Sequence, residues 1–257
     1  MSFVPERDPW LVVVELSCSD DTPLPSIHLL NELEKNRVSR FLRINDQRSF
    51  IAAHTLKRLM LSEATDEEPA FLQFSTSEFG KPELVGQDVI HFNISHTHGM
   101  VAVVCSKFES IGVDVERLQT IELDMLWMNH VFTNEEIEAI RKAPDSMLAL
   151  MRHWTAKEAV MKADGRGMSL PMNEIRIIEK FAISPDSLWK LRQYYPSPYH
   201  VLSLAYKQSN STTTEKSPVI CFSIDEEELW RWAESGYLPQ QWAVVSEVCS
   251  SQYNLLP

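Results

Sequence analysis

The chain has 257 residues, 44% hydrophobic and 9% aromatic, with a formal net charge of −12. That length accommodates one large domain or two of about 100–150 residues, and the apolar content supports a core and excludes wholesale disorder. The acidic balance argues against general nucleic-acid binding, and the longest apolar run, Met100–Cys105, is too short to cross a bilayer.

No basic flank leads into an apolar stretch at the N-terminus, so a signal peptide is not expected. Cys18, Cys105, Cys221 and Cys249 are scattered without a Cys-x-x-Cys pair. That pattern fits buried thiols in a reducing cytoplasm better than a zinc site.

In chain order, residues 10–16 read as a buried strand and the Pro-rich 22–26 as a loop. Apolar periodicity from Ile27 to Ser62 predicts a helix in two pieces. This stretch includes a basic island (Lys35, Arg37, Arg40, Arg43, Arg48, Lys57 and Arg58) against the single acid Asp46 between Lys35 and Arg58. It implies a local anionic partner, or, more blandly, a solvated helix face. Phe71–Ser75 reads as a short strand, followed by the turn Phe79-Gly80-Lys81-Pro82. Strands at His91–Ser95 and Met100–Cys105 flank the turn His96-Thr97-His98-Gly99. Residues 110–116 form another strand.

Helices follow at Asp124–Asn129, Asn134–Lys142 and Ser146–Ala163. The second has Thr133 as N-cap with Glu136 in the capping-box position, and the third closes at Asp164-Gly165. Strands are expected at Ile175–Ile178, Trp189–Gln193, His200–Tyr206 and Val219–Ile224. Ser209–Lys216 reads as a polar linker, and Asp225–Glu234 as an acidic helix before a tail containing Trp242. Trp230, Trp232 and Trp242 are expected to cover an apolar patch on the main body.

The chemistry concentrates in two runs. In Ile-Gly-Val-Asp-Val-Glu (111–116), Asp114 and Glu116 leave one face of a strand, with Cα atoms roughly 6.5–7 Å apart. Like charges so placed suit a hard cation such as Mg²⁺, and hence phosphate chemistry. In Trp-Thr-Ala-Lys-Glu-Ala-Val-Met-Lys (154–162), Trp154, Glu158 and Lys162 share a helical stripe, with Lys157 about a quarter turn away. Alone, Glu158 and Lys162 would be a surface pair worth a few tenths of a kcal/mol. With Asp114 and Glu116 they could complete a metal-and-phosphate site. Five of the seven glycines (Gly80, Gly99, Gly112, Gly165, Gly167) lie in or beside these runs; glycine serves where backbone takes a positive φ or approaches something closely, and these turns are expected to surround a ligand. No P-loop, Gly-x-Gly-x-x-Gly or nucleophile-elbow signature is present.

Taken in order, Phe-Gly-Lys-Pro (79–82), Phe-Asn-Ile-Ser-His (92–96), Ile-Gly-Val-Asp-Val-Glu (111–116) and Trp-Thr-Ala-Lys-Glu-Ala-Val-Met-Lys-Ala-Asp-Gly-Arg-Gly (154–167) resemble the 4′-phosphopantetheinyl transferase superfamily. The resemblance is to its long, Sfp-type form. It implies an α/β fold of two similar halves forming a pseudo-dimer, with the active site and coenzyme A at their interface. The expected halves are 1–107, the CoA nucleotide side, and 108–208, which carries the acids and the Lys-Glu-Ala helix. Residues 209–257 would be an extension packing on the body.

The implied activity is transfer of the 4′-phosphopantetheine arm of coenzyme A to a serine of an apo carrier protein, by a cytoplasmic monomer using Mg²⁺. Membrane and nucleic-acid partners are not expected. By the same resemblance Asp114, Glu116 and Glu158 would ligate the metal. Glu158, Lys162 and Asp114 would be catalytic, with Lys162 serving the departing phosphate. Lys157, Lys81, Ser95, His96, Arg48 and Arg43 would hold CoA. Two competitors are another Mg²⁺-dependent phosphohydrolase and a non-catalytic CoA- or carrier-binding relative.

Overall fold

The computed structural model describes residues 9–17, 19, 22–87, 90–107, 110–119, 125–207, 219–236, 238–239 and 242–247. In chain order the elements are β1 (Trp10–Glu15), α1 (Glu32–Val38), α2 (Ile44–Thr65), β2 (Phe74–Thr76), β3 (Pro82–Leu84), β4 (His91–Thr97), β5 (Met100–Ser106) and β6 (Ile111–Arg117). Then come α3 (Met125–Val131), α4 (Asn134–Lys142), α5 (Ser146–Asp164), β7 (Arg176–Ile178), β8 (Phe181–Ser184), β9 (Ser187–Ser197) and β10 (His200–Lys207). The last are β11 (Cys221–Asp225), α6 (Glu226–Ser235) and β12 (Ala243–Val245). They form two compact units. The first is Met1–Ser75, Glu83–Phe108 and Glu215–Val245; the second is Thr76–Pro82, Glu109–Thr214 and Ser246–Pro257.

The first unit is built on a five-stranded sheet in the order β12-β11-β1-β5-β4. All seven residues of β5 are buried, as expected of a strand covered on both faces. Helix α2 packs on β4 and β5 and ends at Asp66, whose φ of 59° takes the left-handed position usual just past a helix. The C-terminal segment is more than a cover for an apolar patch. Strand β11 pairs in parallel with β1 from Leu11↔Cys221 to Glu15↔Asp225, inside the sheet. Trp10, Trp232 and Trp242 then meet pairwise with centroids 6.1–6.3 Å apart, joined by Phe222 at 5.7 Å from Trp242.

The second unit carries a five-stranded sheet in the order β6-β10-β9-β8-β7, every neighbouring pair antiparallel. Helix α5 lies against β6 and β10, with α4 packed on it. Strand β8, to which the sequence reading assigned nothing, alternates exposed and buried. Its hairpin with β7 turns through Glu179 at φ 52°, a residue type that gives no turn signal. The capping box expected at Thr133 and Glu136 is present.

The expected linker 209–216 and the cysteines at 18 and 249 lie outside the described residues, as does Asp124 at the head of one expected helix.

Candidate active site

Sequence periodicity and packing agree on how the acids are presented. Ser110, Gly112, Asp114 and Glu116 alternate with Ile111, Val113 and Val115, so the four share one face of the strand. That face meets α5. A side-chain carbon on Gly112 would stand far inside contact distance of the Ala159 carbonyl oxygen and the Ala163 nitrogen, and 2.9 Å from the Ala163 Cα. The φ of Gly112 is not in the left-handed region. It is therefore a notch for the helix: close approach, and not a turn with positive φ, is the use of glycine at this position.

Over that notch, Lys162 Nζ donates to Asp114 Oδ1 at 2.7 Å. Asp114 is 3% exposed, whereas the Lys162 side chain keeps 29% of its surface open. Glu158, one turn earlier on α5, has its pKa raised. Burial is the main cause and repulsion from Asp114 the second, with Lys162 working in the opposite direction. Asp114, Glu158 and Lys162 thus form one electrostatic group, and Glu116 stands on the same face of β6, half-buried.

A buried polar ladder seats the rest of α5. Asp114, Ser203 and Gln193 are aligned across β6, β10 and β9. Thr155 on α5 exchanges a 2.8 Å hydrogen bond with Ser203. Arg152 donates to Gln193 at 2.9 Å, while Gln193 donates to Ser203 at 2.9 Å and to the Arg152 carbonyl at 2.8 Å. These inward polar residues carry no motif that singles them out. Only the strand register puts them under the helix.

Lys81 sits on a tight turn, its backbone N–H bonded to Ser77 Oγ at 3.1 Å and Gly80 at φ +84°. Its ammonium donates to the Ala163 carbonyl at the C-terminal end of α5, 3.0 Å away.

Two of the expected CoA contacts, Lys157 and Arg48, are buried and bonded within the fold. Lys157 is completely buried. It pairs with Glu136 at 2.6 Å and donates to the carbonyls of Met172 at 3.0 Å and Ile175 at 2.6 Å. Three acceptors take the three protons of an ammonium, so the donors of Lys157 are used inside the fold in this structure. Glu136 also accepts from the Thr133 and Ile177 backbones, so its role is structural. Burial lowers the Lys157 pKa, against the pull of Glu136.

Arg48, 1% exposed, bonds Glu226 at 3.0 Å and the carbonyls of Thr22 and Pro23. Its guanidinium fastens α6 and the Pro-rich loop within the first unit. Lys57 and Arg58 are likewise internal, both bonded to Glu34. Three of the seven basic residues of the island are therefore structural. Arg43 is exposed at the N-cap of α2 without a side-chain capping bond. Ser95 is buried on β4 and His96, next to it, exposed. These last three belong to the first unit.

Two sequence-family profiles tile most of the chain. One described as "4′-phosphopantetheinyl transferase, N-terminal" matches residues 18–109, and one described as "4′-phosphopantetheinyl transferase superfamily" matches 110–217. The chain belongs to the 4′-phosphopantetheinyl transferase superfamily. The second profile contains the whole face from Ser110 to Glu116 and all of α5.

Among individual members of the superfamily, an L-aminoadipate-semialdehyde dehydrogenase-phosphopantetheinyl transferase of Schizosaccharomyces pombe is 29% identical over 164 residues. That match covers 58% of this chain and 64% of the yeast protein. The 4′-phosphopantetheinyl transferase Sfp of Bacillus subtilis is 27% identical over 146 residues, 56% of this chain and 64% of the relative. HetI of Nostoc, also named a 4′-phosphopantetheinyl transferase, is 29% identical over 186 residues, 68% of this chain and 78% of its own length. The chain thus matches just under two thirds of the first two relatives and more of the third.

Proposed function

We propose that this chain transfers the 4′-phosphopantetheine arm of coenzyme A to a serine hydroxyl on an apo acyl- or peptidyl-carrier protein. The observation that carries the reading is the group Asp114–Lys162–Glu158, assembled on one face of the unit that the superfamily profile matches. The serine Oγ attacks the phosphorus bearing pantetheine, and the bond to the bridging oxygen breaks. Adenosine 3′,5′-bisphosphate leaves, and the serine proton goes to a base.

Each residue has a task that follows from its surroundings. Glu158, held above the ordinary carboxylate range by burial and by Asp114, is a stronger base than an exposed glutamate and takes the serine proton. Lys162, partly open to solvent, donates to the departing phosphate. Asp114 holds that ammonium in place. Lys81, Ser95, His96 and Arg43 are proposed contacts to the phosphates and nucleotide of CoA; Lys157 and Arg48 are not, because both are buried and bonded inside the fold.

Asp114, Glu116 and Glu158 fit a hard cation by donor chemistry, and the repulsion that raises Glu158 is what such a cation would relieve. Among the described residues no three such groups already converge on a metal position, and Lys162 holds one oxygen of Asp114. Mg²⁺ held there would supply positive charge to the pyrophosphate.

We further take the enzyme to act as a cytoplasmic monomer. Among the described residues no helix is long and apolar enough to cross a membrane. Cys105 and Cys221 are buried thiols outside any disulfide, in keeping with a reducing compartment.

The test is to incubate the protein with CoA, Mg²⁺ and an apo carrier protein and weigh the carrier by mass spectrometry. A gain equal to phosphopantetheine, lost in Asp114→Ala and after metal chelation, supports the reading. Phosphate release without carrier labelling would instead indicate a hydrolase, and CoA binding with neither product a non-catalytic relative.

A further inference from the structure

We infer that Ser110 and Gly112 are positioning residues for the reaction, seating the last turn of α5 on β6 so that Lys162 meets Asp114. This inference rests on the transferase reading for its catalytic consequence, but not for its structural one.

Three observations carry it. First, Ser110 continues the face of Gly112, Asp114 and Glu116, and its backbone carbonyl accepts from Lys207 N–H at 3.2 Å, extending the ladder with β10. Second, Ser110 Oγ donates to the Ala163 carbonyl at 2.6 Å. The last four carbonyls of a helix have no partner within it, so this bond satisfies one of them and ties the helix end to the strand. Lys81 Nζ reaches the same oxygen at 3.0 Å, adding a cation where the helix dipole is negative. Third, Gly112 leaves no space between strand and helix, its missing side chain being replaced by backbone of Ala159 and Ala163.

Ala163 directly follows Lys162, and Ala159 directly follows Glu158. The backbone points that touch Ser110 and Gly112 are therefore each one residue from a side chain of the proposed chemistry. Lifting this turn by a methyl group's width moves Lys162 away from Asp114 and Glu158 with it. No contact of Ser110 or Gly112 with substrate is required.

The test compares Gly112→Ala, Ser110→Ala and Ser110→Thr in the full chain. Gly112→Ala is expected to lower kcat about 100-fold, the scale on which a displacement of about 1 Å at a reacting group operates, with KM for CoA little changed. Ser110→Ala is expected to lower kcat about 2- to 10-fold, the worth of one hydrogen bond, and Ser110→Thr, which keeps the hydroxyl, to restore it. Amide hydrogen exchange without substrates supplies a second readout: Ser110→Ala speeds exchange in the last turn of α5 and leaves its first turns unchanged.

If Gly112→Ala does not fold, the Ser110 pair decides. Wild-type kcat in a folded Gly112→Ala or in Ser110→Ala overturns the inference, as does an effect of Ser110→Ala on KM alone. Unchanged exchange in the last turn overturns it too. If the wild-type protein modifies no carrier, the transferase reading fails, while the exchange comparison still judges whether Ser110 seats the helix.

Discussion

Lys162 on α5 and Asp114 on β6 form an ion pair at 2.7 Å in which the acid is buried and the base partly open. The asymmetry matters. Asp114 is fixed and fixes its partner, while the Lys162 side chain keeps 29% of its surface open. Lys162→Ala should therefore lower kcat by about 100- to 1000-fold, the usual cost of removing one preorganised donor to developing charge. Asp114→Ala should cost at least as much, because it removes both the anchor of Lys162 and a proposed cation ligand. Initial rates of carrier mass gain check this. Turnover near that of the wild type in either variant would remove the pair from the mechanism.

Lys157, five residues earlier on the same helix, should behave in the opposite way. Replacing it by Met leaves Glu136 buried without its cation, a change that typically costs about 3–5 kcal/mol. The expected outcome is a marked drop in the midpoint of thermal or urea unfolding, with KM for CoA unchanged in the fraction that folds. A raised KM with unchanged stability would return Lys157 to the CoA contacts.

The contrast between these two lysines marks where sequence reading succeeds and where it stops. The stripe from Trp154 through Glu158 to Lys162 follows from helical spacing, as does the common face of Asp114 and Glu116 from strand spacing. The sequence cannot tell which side of α5 faces the sheet and which the α4 layer, and about 140° of helix separates Lys157 from Lys162. Glu136, which captures Lys157, announces only its capping role. Arg48 and Lys57 belong to a basic run, yet their partners Glu226 and Glu34 lie 178 and 23 residues away. The insertion of β11 beside β1 was likewise hidden, because a parallel pairing between residues about two hundred positions apart leaves no local trace. For Gly112 the role lies in the close approach of another element and not in its own φ, a choice between two glycine uses that the sequence leaves open.

Because β11 lies between β12 and β1, residues 219–245 should be indispensable to the first unit. Truncation after Asn210 would expose the edge of β1, strip Trp232 and Trp242 from Trp10 and leave Arg48 buried without Glu226. Loss of soluble expression, or loss of the cooperative unfolding transition of that unit, is the expected result. A truncated chain with an unchanged melting profile would show the segment to be dispensable.

The first unit should also weaken in mild acid, through His54. Its ring stacks on Phe50 with centroids 4.0 Å apart, and Nδ1 lies 2.9 Å from Glu34 Oε1. Burial lowers its pKa to about 4, and Lys57 and Arg37 push in the same direction while Glu34 opposes them. The folded state thus takes up its proton at lower pH than the unfolded chain, whose imidazole titrates near 6.5. Between those values the unfolded state binds more protons, so this contribution is complete above pH 6.5 and is lost as pH falls toward 4. The limiting slope is about 1.4 kcal/mol per pH unit. Below 4.5 Glu34 adds to the loss, since His54, Lys57 and the Asn31 N–H outweigh its burial and hold its pKa well below the usual carboxylate range. Urea unfolding at pH 7, 6 and 5 should therefore show declining stability. His54→Gln should flatten that decline above pH 5, whereas an equal slope in the variant would mean that another group carries it.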